Sequence, residues 1–496
     1  MKRWRIGLVA VVMMGALTGA HARPRYFINT IWLSSALRHG TSLESIKRTI
    51  DVSKSRGCNA MSVCIAWDTE RPDGSYDFSA YEPVLRYIVD QGMALQIRVN
   101  TALNFGIKLD WVTDEMVCRT RDGAVYQRKH GEWLPVLTHP VVREKMRNLY
   151  RALGAWTRER HIIPVIAFSA AWTLYMESEY FCVGLDYSTA SQKAFQVWVE
   201  ERAAGVPLKR LNERWGTNFT ARDEITLLSV PQPLRELFFS HVLDVVFVEQ
   251  SKALKAGDPT AQYGVQFGCF WDNPGRHNML TNMRAKEIDW IFVADAPSFD
   301  FSFSCDALRA CWRGKRIANE IDGPSRFVSA KKGSPSDLAR KQGLDSFNAG
   351  VDAVFTCNWN AKTYGDRGTW SFHEAVSAMT ADPVPEITPK RAIYMSTWDL
   401  VNATGKAQVY RQAYRKLRGE RDEPIDILND VALIADADRL DQYDTIILPH
   451  NRTMTKDVRA VLSRISAKRL DLWQPAQAGT LTPFGRVTEA FSPPDR

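Results

Sequence analysis

Apolar and polar positions follow two rhythms along this chain. From residue 26 to about 380, short apolar runs of strand length alternate with longer stretches of helical periodicity. "FINTIWLSS" from Phe27 predicts a first strand. "SLESIKRTIDVSKSRG" from Ser42 predicts an amphipathic helix stopped by Gly57. "NAMSVCIAW" and "MALQIRVNT" predict strands two and three, with the helix "FSAYEPVLRYIVDQG" between them. After the helix "HPVVREKMRNLYRALGAWTRE", the run "IIPVIAFSAAW" predicts strand four, which leads into "LYMESEYF", Leu174 to Phe181. Later strands are expected at "AQYGVQFG", "FDFSFS" (from Phe299), "RIANEIDG" and "VDAVFTCNW". Three helical stretches separate strands four and five, the longest ending "VVFVEQSKALKAG".

Eight apolar strands alternating with helices imply an α/β fold with a parallel sheet closed as a (β/α)8 TIM barrel. The texture changes at "ADPVPEITPK", a proline-rich linker over 381–390. Beyond it, "RAIYMSTW", "PIDILND" and "YDTIILP" read as strands, with helices at "KAQVYRQAYRKLRG" and "TKDVRAVLSRISAK". That pattern predicts a smaller doubly wound α/β domain over 391–475, followed by a tail, 476–496. It has no G-x-G-x-x-G, so no nucleotide is assigned to it.

The first 22 residues stand apart. Lys2, Arg3 and Arg5 precede a short apolar run, and Ala20-His21-Ala22 matches a small-residue cleavage site. This is the pattern of a secretory signal peptide, so the expected location is periplasmic or secreted. No other apolar run approaches the roughly 18 residues of a spanning helix, so no membrane span is expected after cleavage. The formal charge of +8 includes those three leader residues, and the remaining basic residues are dispersed. Nucleic acid is therefore a poorly supported partner. Of the eight cysteines, Cys64, Cys269 and Cys357 sit in apolar strand-like runs, where a free thiol packs as a small hydrophobe. Cys305 and Cys311 are a pair that could bridge. No C-x-x-C occurs, and no metal site is assigned.

Candidate chemistry gathers at predicted strand ends, where parallel barrels place it. Glu177 and Glu179 follow strand four and, two residues apart, share a face of an extended chain. Glu320 ends strand seven, across the barrel. Two carboxyl groups facing across one mouth suit glycoside hydrolysis, one protonating the leaving oxygen and the other attacking the anomeric carbon. These residues alone leave the choice between Glu177 and Glu179 open. Other candidate substrate contacts are Arg98 and Asn100 on strand three, Trp67 after strand two, Trp271 after strand five and Trp359 after strand eight. Indole rings offer stacking surfaces for sugars, and the chain carries 16 Trp. Core packing is the competing role for each. No G-x-S-x-G or phosphate-binding loop is present.

The chain resembles the retaining glycosidases built on barrels with acids on strands four and seven, and more narrowly the bacterial β-galactosidases of glycoside hydrolase family 42. The passage "FQVWVEERAAGVPLKRLNERWGTNF", Phe195 to Phe219, is similar to one that follows the strand-four acid in that family. The resemblance implies acid/base and nucleophile roles for Glu179 and Glu320, respectively. Ser178 stands where the family has an asparagine that contacts the sugar 2-hydroxyl. The resemblance also implies that the smaller α/β domain is glutamine amidotransferase-like and makes homo-oligomer contacts. The zinc-binding cysteine cluster of some members is not evident, and no cofactor is expected.

The reading is an exported retaining β-glycosidase of the β-galactosidase-like kind, acting on an oligo- or polysaccharide. The alternatives are an endo-acting hydrolase of an exported polysaccharide and a barrel that binds glycan without catalysis.

Overall fold

The computed structural model describes residues 23–101, 109–126, 133–171, 186–267, 284–293, 301–321, 335–356, 370–402, 407–420, 423–449, 453–465, 470–471 and 486–487. Eight strands form a closed, all-parallel barrel in sequence order. They are β1 (Tyr26–Ile31), β2 (Ala60–Ala66), β3 (Ala94–Asn100), β4 (Val165–Ala171), β5 (Tyr263–Phe267), β6 (Trp290–Val293), β7 (Arg316–Glu320) and β8 (Ala353–Thr356). Closure comes from β1 against β8, in register from Tyr26↔Ala353 to Asn29↔Thr356. The TIM-barrel reading of the sequence therefore holds.

One expected strand is misplaced. The sixth strand is Trp290–Val293, "WIFV", and the alternating "FSFS" instead opens a helix at Phe301. The physical reason lies in burial. A barrel strand is covered on both faces, so it reads as a continuous apolar run, whereas strict alternation marks a half-exposed strand. All four residues of β6 are buried.

Helices complete the outer layer. α1 (Leu33–Arg38) and α2 (Leu43–Ser55) follow β1, α3 (Glu82–Asp90) follows β2, and α4 (Pro140–Glu159) precedes β4. Ser42 caps α2 by accepting from Ser45 N, and Gly57 just beyond it takes a positive φ of 85°. Between β4 and β5 come α5 (Thr189–Arg202), α6 (Leu208–Trp215) and α7 (Gln232–Gly257). α8 (Phe301–Cys311), α9 (Pro335–Asn348) and α10 (Trp370–Ala378) complete the ring.

Two apolar layers result. The large one lies between sheet and helices. The smaller fills the barrel with Ile28, Ala60, Ala94, Ala167, Ala318 and Ala353 around Trp290, Phe292 and Phe355. Small residues on several strands leave room for two large rings on one, and Trp290 and Phe292 stack at 5.5 Å. Gly264 on β5 is part of this fit, because a Cβ there would lie 2.9 Å from the Phe292 ring.

α11 (Thr397–Asn402), α12 (Ala407–Glu420), α13 (Asp430–Ala435) and α14 (Lys456–Leu462) belong to the C-terminal part. Its parallel sheet contains β9 (Arg391–Tyr394), β10 (Ile425–Leu428), β11 (Thr445–Ile447) and β13 (Leu470–Asp471), in the order β10-β9-β11-β13. A separate short pair joins β12 (Thr453–Met454) to β14 (Arg486–Val487). The sheet docks on the barrel through α8. Asp426 accepts hydrogen bonds from Arg309 (3.0 Å), Arg313 (3.0 Å) and Tyr443 (2.7 Å). Tyr414 donates to Asp306 at 2.6 Å, and Arg284 binds both oxygens of Asp436. Asp426 is only 1% exposed, so these partners replace the water it loses on burial.

Two expectations follow. Asp426→Ala leaves Arg309 and Arg313 without their shared carboxylate and should cost about 3–5 kcal/mol of stability in denaturant unfolding. His373 on α10 is buried and packs edge-on against Phe27. Burial, and secondarily the Arg56 charge, push it down from 6.5 to about 3, so the fold holds the neutral imidazole. This contribution should be intact above about pH 6.5 and lost as pH falls toward 3. The difference in unfolding free energy between wild type and His373→Phe should reveal it as an acid limb that the variant lacks.

Candidate active site

β7 ends at Glu320, which is buried at 8% exposure. Ala318, two residues earlier, belongs to the barrel interior, so strand alternation turns Glu320 to the same inward face. Its register partner on β8 is the interior Phe355. Asn319 takes the opposite face and donates to Cys305 Sγ of α8 at 3.2 Å.

Arg98 on β3 also lies inside the barrel and is 1% exposed. It reaches past β2, with Nη2 donating to Thr30 Oγ1 of β1 at 3.3 Å. Its guanidinium carbon lies 5.2 Å from the centroid of the Phe355 ring, so the cation rests on the aromatic neighbour of Glu320. Asn100, next on the same face of β3, is buried opposite Ala171. Below them Gln96 donates to Ser169 of β4 at 3.1 Å. Thus the barrel is hydrocarbon near its floor and polar near its mouth.

The other sequence candidates divide. Trp67 is fully buried in the sheet–helix core, its ring 5.1 Å from that of Trp111. No face of it is open to a sugar. Asp68, one residue on, accepts from Tyr81 at 3.1 Å and lies 3.7 Å from Arg38. Its side chain is three-quarters covered, and desolvation raises its carboxyl against the pull of Arg38. Glu177, Ser178, Glu179, Trp271 and Trp359 lie outside the described residues.

Sequence reasoning missed Asp186, which anchors the chain just before α5. It is buried and accepts from Arg119 N (3.2 Å), Ser188 N (2.9 Å), Ser188 Oγ (3.1 Å) and Ser191 Oγ. Burial raises its carboxyl, and the serine hydroxyls hold it back. The available signal was "DYSTAS", an acid followed by hydroxyl residues at a helix start. The Phe195–Phe219 passage also has a structural explanation. Asn212 accepts from Thr217 Oγ1 and Phe219 N, both at 2.9 Å, and donates to Phe219 O at 2.8 Å. With left-handed Gly216, these bonds staple the turn after α6. Trp198 lines a 240 Å³ cleft between α5 and α7, but its ring packs against Phe195 and lies under Arg202.

Cysteine chemistry is quiet. Cys58, Cys64, Cys118, Cys305 and Cys311 are free and buried. The suggested Cys305–Cys311 bridge is therefore not formed; Cys305 faces Asn319 and Ser346, while Cys311 donates to Ile427 O. Burial pushes the Cys64 thiol up to about 12, despite its bond from Ser34. Among the described residues no metal-binding group of three or more ligands is found, and no helix is long and apolar enough to cross a membrane.

Residues 38–244 match the family model described as Beta-galactosidase, glycoside hydrolase family 42. The span includes β4, the acids after it and the Asn212 turn, and stops before β7. The β-galactosidase of Rahnella sp. R3 superposes with a TM-score of 0.68 at 18% identity, over 90% of this chain and 71% of that one. The two proteins share the barrel fold. The β-galactosidase from Bacillus circulans sp. alkalophilus gives 0.69 at 15% identity, over 91% of this chain and 71% of the other. A catalytic mutant of the family-42 β-galactosidase from G. stearothermophilus gives 0.70 at 16%, over 91% and 72%. No curated protein sequence matches this chain.

One expectation concerns the thiols. Alkylation of the native protein followed by peptide mapping should leave Cys58, Cys64, Cys305 and Cys311 unmodified. Each is buried, and burial raises its pKa, so little thiolate is present.

Proposed function

We propose that this protein is an exported, retaining β-glycosidase, with Glu320 as nucleophile and Glu179 as acid/base. Glu320 carries the reading. It is a buried carboxylate on the inward face of a barrel strand, at the end where parallel barrels hold their chemistry. β4, across the barrel, runs directly into the segment containing Glu177 and Glu179. The match over residues 38–244 and the similar β-galactosidase structures support a β-linked sugar substrate. The N-terminal basic and apolar residues support export to the periplasm or medium.

In the first step the Glu179 carboxyl gives its proton to the glycosidic oxygen while a Glu320 oxygen attacks the anomeric carbon. The carbon–oxygen bond to the leaving sugar breaks, and a glycosyl ester to Glu320 forms. In the second step Glu179, now a carboxylate, removes a proton from water. The water oxygen attacks the same carbon and releases Glu320. Neither step calls on a metal or organic cofactor. Arg98, resting on Phe355 beside Glu320, supplies positive charge near the carboxylate that must remain ionised.

The test is hydrolysis of nitrophenyl β-glycosides, with the product anomer followed by NMR. The anomeric configuration should be retained. Glu179→Gln should lower turnover about 10²- to 10⁴-fold. Glu320→Gln should lower it by at least roughly a thousand-fold, as expected for a nucleophile acting in a coupled unit. Inversion of configuration, or full activity in either variant, would overturn the assignment. Oligosaccharide binding without release of reducing ends by wild type would favour the non-catalytic alternative.

A further inference from the structure

Asn319 is fully buried on the helix-facing side of β7, and its cross-strand partners Val293 and Val354 are apolar. Its Nδ2 donates to Cys305 Sγ at 3.2 Å, Cys305 donates to Ser346 Oγ at 3.5 Å, and Ser346 Oγ donates to Gln342 O at 2.9 Å. Its Oδ1 is buried without a hydrogen-bond partner. A buried unsatisfied acceptor is destabilising, so an apolar side chain of similar size would be at least as favourable for folding. Stability therefore does not explain an asparagine here.

Direction does. Adjacent strand residues project to opposite faces, so fixing the Asn319 amide fixes the rotation of the strand end that aims Glu320 inward. The fixed point is α8, which is itself held from outside. Tyr414 binds Asp306, Arg309 binds Asp426, Arg284 donates to Ala310 O and Cys311 O (both 2.7 Å), and Cys311 donates to Ile427 O at 3.2 Å. α8 thus lies between the strand of Glu320 and the C-terminal sheet. Resting on the glycosidase reading above, we infer that Asn319 is a positioning residue for Glu320. Its relay through Cys305 and Ser346 ties β7 to α8, and through α8 to the C-terminal α/β sheet.

The test uses three variants of the full chain. Asn319→Leu keeps the volume and removes the donor. Cys305→Ala removes the acceptor, and Cys305→Ser restores one. Asn319→Leu should keep or raise the thermal midpoint while lowering kcat at least ten-fold, with KM within two-fold. Cys305→Ala should also lower kcat, and Cys305→Ser should return it to within about two-fold of wild type. Hydrogen exchange of the 316–321 peptide gives an activity-independent arm, and should quicken in Asn319→Leu and Cys305→Ala but not in Cys305→Ser. Wild-type kcat in Asn319→Leu, unchanged exchange in Cys305→Ala, or equal losses in both Cys305 variants that track a lower midpoint would each overturn the inference. Inactive Glu320→Gln beside fully active Asn319→Leu would defeat the positioning role alone. Full activity in Glu320→Gln would defeat the glycosidase reading.

Discussion

Closure of the parallel sheet by β1 and β8 is the constraint on which the rest depends. An open parallel sheet would leave two edges of unpaired backbone groups. Closure removes both edges and gathers the C-terminal ends of all eight strands around one opening. Thr30, Arg98, Asn100, Glu320 and Phe355 come from four strands spread over more than 300 residues of chain, yet ring closure makes them neighbours or near neighbours. The interior then sorts by height. Trp290, Phe292 and the alanines of β2, β3, β4, β7 and β8 fill the lower part, and the polar side chains lie toward the mouth. A dry floor beneath a polar mouth limits solvent near the carboxylate and strengthens each electrostatic contact above it.

Much of this was legible from residue order. Barrel strands announce themselves as apolar runs because both faces are covered, and the helices between them end at glycines such as Gly57. The position of Glu320 at the end of strand seven was legible in the run "RIANEIDG". β6 was misread because "FSFS" offers the alternation of a half-exposed strand, while four buried residues, "WIFV", offer little length. Contacts across the barrel were not legible. Nothing near Arg98 in sequence signals that it meets Thr30 and Phe355, and nothing near Trp67 signals that Trp111 covers it.

The Phe195–Phe219 passage is informative in a different way. It carries the strongest local likeness to family 42, yet its described contacts are architectural: Asn212 and Gly216 close a turn, while Phe195 and Trp198 pack on Phe238. A motif can identify a fold because it solves a folding problem, and chemistry must then be argued from other residues.

The charged seam between α8 and β10 bears on what counts as a domain here. Arg284, Arg309 and Arg313 belong to the barrel, whereas Asp426 and Asp436 belong to the following sheet. Phe303 packs against Tyr414 across the same seam. If the chain were cut within its proline-rich connector, Arg284 and Arg313 would lose their carboxylate partners and Arg309 would keep only Asp306, beside newly wetted aromatic surface. The two sheets are separate by topology but joined by this buried charged seam, and the connector marks a change of architecture rather than an absence of contact.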